Sequence, residues 1–115
     1  MKKYKYNFNN KFVIITGSSS GIGYEVAKNY LINGANILIC SSKINKIRTA
    51  YKKLKYFKKE NQNLFFKKVD ISSPNEIKNL IFFAFKKFKK IDILINNAGF
   101  MDQKDLLRKL IGVNG

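Results

Sequence analysis

Residues 16–28 spell TGSSSGIGYEVAK, a stretch in which two signals overlap. Glycines stand at 17, 21 and 23, and directly behind them Tyr24 precedes Lys28 by four residues. The glycines follow Phe12–Thr16 (FVIIT), a short apolar, β-branched run that breaks at Gly17, as a strand buried on both faces should. Beyond them, Ile22 to about Asn33 reads as a helix with Ile22, Val26, Tyr30 and Leu31 facing inward and Gly34 as its stop. Gly17, Gly21 and Gly23 therefore occupy a strand-to-helix turn, where the backbone can approach a ligand with no Cβ in the way. The unpaired N–H groups of the first helical turn, at the positive end of the helix dipole, then point at an anion. A pyrophosphate fits that description.

Working outward, strands and helices alternate. Asn36–Cys40 (NILIC) is a second strand, and Leu64–Val69 a third. Between them Ile44, Ile47, Tyr51, Leu54 and Phe57 recur at helical spacing, with lysines on the opposite side. The next helix announces its start: Ser73 as cap, Pro74 at the first helical position, and Glu76 placed to complete a capping box. Its apolar face is Ile77, Leu80, Ile81, Ala84, Phe85 and Phe88. Ile91–Ile95 (IDILI) is a fourth strand, leading into Asn96-Asn97-Ala98-Gly99. An order β-α-β-α-β-α-β with right-handed crossovers requires an α/β fold, a doubly wound parallel sheet with helices on both faces. The division is a basic lead over residues 1–10 and one domain over 11–115.

Composition bounds what these motifs mean. A chain of 115 residues with 45% hydrophobic content and ten Phe has one core to build and is not disordered. No apolar run reaches the ~20 residues of a membrane span. The opening MKKYKYNFNN has no apolar stretch of a secretory signal. Cys40 is the only cysteine and lies in an apolar run, which suits a buried thiol in a reducing compartment and points to the cytoplasm. The net charge of +16 would attract polyanions. Yet the cations are nearly all Lys, spread along 43–59 and 86–90, while Arg, the residue of bidentate phosphate and base recognition, is scarce. Nucleic acid is thus the weaker reading, and a solvated lysine surface the stronger. The spacings suggest no metal site.

In this context Thr16-Gly17-x-x-x-Gly21-Ile22-Gly23 resembles the fingerprint of the short-chain dehydrogenase/reductase family, whose fold is of Rossmann type. Asn96-Asn97-Ala98-Gly99 after the fourth strand is similar to that family's second motif, and Asp70 after the third to its adenine-contacting aspartate. The resemblance covers about residues 10 to 107 and implies a nicotinamide dinucleotide as ligand. It further implies that Gly17, Ser18, Ser20, Gly21, Ile22 and Gly23 surround the phosphates and the nicotinamide-side ribose, with Thr16 at the head of the turn. Asp70 would accept from the adenine amino group, Ile71 would contribute backbone, and Asn97, Ala98 and Gly99 would line the ribose. The alternative for Asp70 is a turn-forming carboxylate beside Ser72, and for Asn97 a cap at the sheet end.

Ser41-Ser42-Lys43 occupies the place where NAD-preferring folds carry a carboxylate for the ribose 2′-OH. A missing carboxylate and a nearby cation favour NADP, with NAD still possible; Ser20 departs from the basic residue that many NADP-using relatives carry there. The family's catalytic Tyr-x-x-x-Lys lies downstream of Asn-Asn-Ala-Gly, where its lysine lowers the tyrosine pKa for acid–base work on a carbonyl or carbinol. Tyr24/Lys28 and a second pair, Tyr51/Lys55, lie upstream on helices that flank the sheet and read as coincidences. No tyrosine follows Tyr56, so no catalytic residue is assigned, Asn114 included.

The expected function is the cofactor-binding part of an NAD(P)-dependent, carbonyl or 3-oxoacyl reductase-like oxidoreductase, inactive as these residues alone. The alternative is a stand-alone basic module binding nucleotide or nucleic acid. Strand order 3-2-1-4 would leave IDILI as an apolar edge, so self-association is expected, with a monodisperse monomer by light scattering as the contrary result. A homo-oligomer is the expectation for a full-length form.

Overall fold

The computed structural model describes residues 6–97. Four strands form one parallel sheet in the order β3-β2-β1-β4: β1 (Phe12–Thr16), β2 (Asn36–Ser41), β3 (Leu64–Lys68) and β4 (Ile93–Asn96). They are joined by α1 (Gly21–Ile32), α2 (Ile44–Leu54), which runs on into a 3-10 turn Lys55–Phe57, and α3 (Pro74–Phe88). The α/β doubly wound architecture expected from the alternating pattern is what the chain adopts.

The central strands β1 and β2 are buried on both faces because helices cover both. Val13, Ile15, Ile37 and Ile39 pack with Ala27 and Leu31 of α1 and Ile47 and Leu54 of α2. On the other face Ile14, Leu38 and Cys40 pack with Ile77, Leu80, Ala84 and Phe88 of α3. Each Ile or Leu taken fully out of water contributes about 1.5–3 kcal/mol, so this two-sided core outweighs any single polar contact in holding the layers. β4 divides its side chains between the two layers, Ile93 and Ile95 to the α1 and α2 face and Leu94 to the α3 face, where Ile91, just before the strand, also packs. Among the described residues β4 forms one edge of the sheet.

Side-chain placement departs from the sequence pattern at several points. Ile22 does not face inward: it is 76% exposed, and the buried line of α1 is Gly23, Ala27 and Leu31. The reason is steric. A Cβ on Gly23 would lie 2.2 Å from the Gly17 carbonyl oxygen, so α1 approaches the β1 turn closely and turns its smallest residues toward the sheet, leaving Ile22 outside. Phe85, expected on the buried face of α3, is 49% exposed, and Phe57, beyond the end of α2, is 37% exposed.

The capping box of α3 forms only by half. The Glu76 N–H donates to Ser73 Oγ at 3.3 Å, but the Glu76 carboxylate, instead of returning to Ser73, accepts from the Asp70 N–H at 3.1 Å. The Ser73 N–H is already satisfied by the Asp70 carbonyl, which frees Glu76 to tie the end of β3 to the head of α3. The N-terminal lead is also partly integrated. The Phe8 N–H donates to the Asn33 carbonyl, and the Phe8 ring lies 4.8 Å from that of Tyr30.

Candidate functional site

Parallel strands in register place all four C-terminal ends at one pole. Thr16 pairs with Asn96 and Ser41 with Lys68, so the segments leaving β1, β2, β3 and β4 converge. They bound a cleft of about 520 Å³ lined by Gly17, Ser19, Ser20, Ser41, Ser42, Lys43, Lys46, Asp70, Ile71, Ser72 and Asn97, with Cys40 and Val69 also contributing. This is the crevice outside the strand ends where open α/β sheets take ligands.

The β1 turn forms its near wall. Gly17 and Gly21 both have φ of 60°, a left-handed conformation that costs a residue with a Cβ roughly 1–2 kcal/mol. Ser20, at the N-cap position before α1, makes no side-chain capping bond, and the first turn carries no acidic residue. By contrast, α3 has both a serine cap and Glu76. The head of α1 therefore presents backbone N–H groups and a positive dipole end that no side chain of its own neutralises.

Hydrogen bonds between strand ends hold the turn. Thr16 Oγ1 donates to Asn96 Oδ1 at 2.9 Å and accepts from the Asn97 N–H at 3.0 Å. Asn97 Nδ2 donates to the Gly17 carbonyl at 3.1 Å, so Asn97, reached from β4, braces the glycine turn from below. Ser18 has a different place from its neighbours. It is fully buried, its hydroxyl donates to the Ile15 carbonyl at 2.8 Å and accepts from the Cys40 N–H at 3.0 Å, and its side chain stitches the turn to β2 rather than lining the cleft.

The far wall is the end of β2 and the start of α2. The Lys43 N–H donates to Ser41 Oγ at 3.2 Å, and Lys43 caps α2 with no acidic residue in that helix's first turn. Lys46, one helical turn along, joins it. Asp70 forms the floor-side turn: its Oδ1 accepts from the Ser72 N–H at 3.0 Å and from Ser72 Oγ at 2.7 Å. Those bonds hold the carboxyl below the usual carboxylate range. The turn-forming role is thus present, and the carboxylate remains exposed at the cleft margin. Below it the Cys40 thiol, 1% exposed, is pushed up to about 12 by burial, an effect only partly offset by Lys67; it stays protonated at neutral pH.

Of the residues expected at the site, Gly17, Ser20, Ser41, Ser42, Lys43, Asp70, Ile71 and Asn97 line the cleft together. Thr16, Ser18, Gly21, Ile22 and Gly23 are not among the lining residues, and Ala98 and Gly99 lie outside the described residues. Sequence reasoning missed Ser19, Lys46 and Ser72. Lys46 had a signal, since it falls one turn after Lys43 on a helix whose head adjoins the strand end. Among the described residues no cluster of His, Cys, Asp or Glu could hold a metal, and no helix is long and apolar enough to cross a membrane.

The two tyrosine–lysine pairs are not built for proton transfer. The hydroxyl of Tyr24 is pushed above its ordinary pKa by burial and then by Glu25, opposite to the shift a catalytic lysine produces. Lys28 Nζ sits over the Phe57 ring at 4.7 Å instead. Lys55 Nζ lies over the face of the Tyr51 ring at 5.5 Å, and that ring packs on Phe66.

A family model described as short chain dehydrogenase matches residues 11–114. An uncharacterized oxidoreductase of Staphylococcus saprophyticus is 36% identical over 100 residues, which is 87% of this chain and 39% of that protein. The crystal structure of hydroxysteroid dehydrogenase from Escherichia coli superposes with a TM-score of 0.75 at 28% identity, covering 90% of this chain and 43% of that one. L-Sorbose reductase from Gluconobacter frateurii, solved with NADPH and L-sorbose, gives a TM-score of 0.76 at 26% identity over 93% of this chain and 44% of that one. The chain spans between about a quarter and two fifths of the length of the first curated relatives it matches. With the family model covering nearly all of the sequence, the chain belongs to the short chain dehydrogenase family.

Proposed function

We propose that residues 11–115 are the dinucleotide-binding portion of an NADP-dependent short-chain oxidoreductase, acting in the cytoplasm on the carbonyl or hydroxyl carbon of a small molecule of the 3-oxoacyl type. The observation that carries the NADP assignment is the far wall of the cleft. Lys43 and Lys46 stand at the end of β2 with no ion pair, since the only salt bridge among the described residues is Lys90–Asp92. No carboxylate is present at that strand end to repel a 2′-phosphate.

The chain's own residues fit such a ligand. The turn at Gly17–Gly23 leaves room for phosphate oxygens at the head of α1, where a Cβ on Gly21 would meet nothing within 4 Å. Ser41, Ser42, Lys43 and Lys46 would hold the 2′-phosphate, Asp70 and Ile71 the adenine edge, and Asn97 with Ala98 and Gly99 the ribose. Bound, the dinucleotide supplies or accepts hydride. The protein's part within these residues is to bind, orient and neutralise charge, because neither Tyr24 nor Tyr51 has an activating lysine at its hydroxyl. Binding without turnover is therefore expected of these residues alone.

Titration of the chain with NADPH and NADH, followed by nicotinamide fluorescence, tests this reading. A charge-assisted phosphate contact is worth ~1.5–3 kcal/mol, so NADPH should bind at least about tenfold more tightly. Lys43→Ala/Lys46→Ala should erase the difference. Equal affinities in the unsubstituted chain would overturn the NADP assignment. Displacement of NADPH by single-stranded RNA at lower concentration than by NADP would favour a basic binding module instead.

A further inference from the structure

At the pole opposite the cleft, a different surface forms. Because each helix runs back against the parallel strands, the C-terminal ends of α1 and α2 and the entry to β1 gather there. The segment 52–59 reads KKLKYFKK. Leu54 is buried and anchors it, while Lys52, Lys53, Lys55 and Lys59 are exposed and Lys58 half-buried. Tyr56 is 91% exposed, the largest exposure among the big hydrophobic side chains. Exposed Ile32 and Tyr6 belong to the same pole. Tyr6 stacks on Phe8, Phe8 is bonded to Asn33 next to Ile32, and Gln62 links the Leu31 carbonyl to the Lys59 N–H.

Stability does not account for this grouping. Lys52 and Lys53 do complement the C-terminal end of the α2 dipole. Lys55 also lies over the Tyr51 ring, but Lys58 and Lys59 lie past the 3-10 turn, where Glu60 is the one adjacent residue of opposite charge. None of the five lysines has an ion pair among the described residues. A ring as exposed as that of Tyr56 adds nothing to the core. What the grouping provides is an exposed face with concentrated cationic charge and apolar or amphipathic side chains set among it.

We propose that this pole docks on an anionic phospholipid bilayer, with lysine charge attracting the headgroups and the Tyr56 ring seated at headgroup level. Three observations favour lipid over nucleic acid. The cations of the segment are all lysines, point charges suited to a diffuse negative surface, with no guanidinium fork for phosphate or base. The face lies at a helix end and includes none of the residues that line the cleft at the strand ends. Its exposed aromatic includes a tyrosine, whose polar tip and apolar body suit a membrane interface. Clusters of about four to eight Lys or Arg are the usual signature of such binding; here five lysines fall in eight residues, Lys52 and Lys53 on α2, Lys55 in the 3-10 turn, and Lys58 and Lys59 just past it. Docked this way, the molecule would hold its cleft away from the membrane.

Co-sedimentation of the 115-residue chain with vesicles of phosphatidylcholine containing phosphatidylserine, against phosphatidylcholine alone, tests the proposal. Binding should require the anionic lipid and weaken with salt. Each lysine near such a surface contributes a factor of about five, so Lys55→Gln/Lys59→Gln should reduce affinity about 25-fold. Lys68→Gln/Lys78→Gln, which removes the same charge from exposed positions outside this pole, should reduce it far less. Tyr56→Ser, at a position too exposed to affect folding, should weaken binding severalfold. Equal losses for the two lysine pairs, absence of binding to anionic vesicles, or tighter binding of single-stranded RNA dependent on Lys55 and Lys59 would each overturn the proposal.

Discussion

Replacing Gly23 with alanine tests the argument that close approach of α1 to the β1 turn sets the orientation of that helix. The added Cβ would stand 2.2 Å from the Gly17 carbonyl oxygen and 2.6 Å from Asn97 Nδ2. Asn97 is a side chain and can swing away, giving up its 3.1 Å bond to the same carbonyl. The carbonyl belongs to the backbone of a turn held at φ 60° and cannot yield without moving β1 or α1. Overpacking of this kind costs about 1–3 kcal/mol, and a rigid backbone obstacle puts it at the upper end. Alanine's better helix propensity returns at most about 1 kcal/mol, so the net loss should be ~2 kcal/mol. For a domain of this size that lowers Tm by about 10 °C, readable as a thermal melt by circular dichroism at 222 nm. The double variant Gly23→Ala/Asn97→Ala should be no more stable than Gly23→Ala, because the carbonyl remains in place. A Tm for Gly23→Ala equal to or above that of the parent would refute the close-approach argument. Rescue by Asn97→Ala would show the asparagine, not the carbonyl, to be the obstacle.

Three further outcomes follow from two buried polar groups. Ser18→Ala removes the acceptor of the Cys40 N–H and leaves that donor buried, so urea unfolding should show a loss of ~1–3 kcal/mol with an unchanged m-value; an unaltered midpoint would contradict the stitching role assigned to the hydroxyl. The Cys40 thiol should resist alkylation at pH 8 in the folded chain and react once the chain is unfolded, as mass spectrometry would show. Its folded pKa is raised from 9.0 to about 12, so the unfolded chain releases the proton first. Stability should therefore be unaffected by this group below pH 9 and fall as pH rises from 9 toward 12, and Cys40→Ala should remove that part of the alkaline loss.

The order and type of the elements were legible in the sequence because each follows from local chemistry. FVIIT ends where Gly17 begins, Gly34 stops α1 at φ 102°, and Pro74 behind Ser73 opens α3. Given those elements, handedness of the crossovers left the sheet order little freedom, and the glycine turn, Asp70 and Asn97 could be placed together because each lies just past a strand end. Tertiary structure decided what depends on distance between segments remote in sequence. Hydrophobic periodicity turned Ile22 inward, but the packing of α1 on a backbone carbonyl admits only Gly23 and Ala27 there, so the smaller residues displaced the more apolar one. Glu76 could be read as half of a local capping box, yet its carboxylate goes to the Asp70 N–H because Asp70's carbonyl already satisfies Ser73. Ser18 reads in the sequence as a residue of the glycine turn, and only the fold shows its hydroxyl as a buried bridge to β2. Lys46 and Ser72 joined the cleft only once parallel pairing drew the ends of β2 and β3 together. Local propensity specifies where the chain turns; which side chains meet across a turn is settled by how closely the layers can pack.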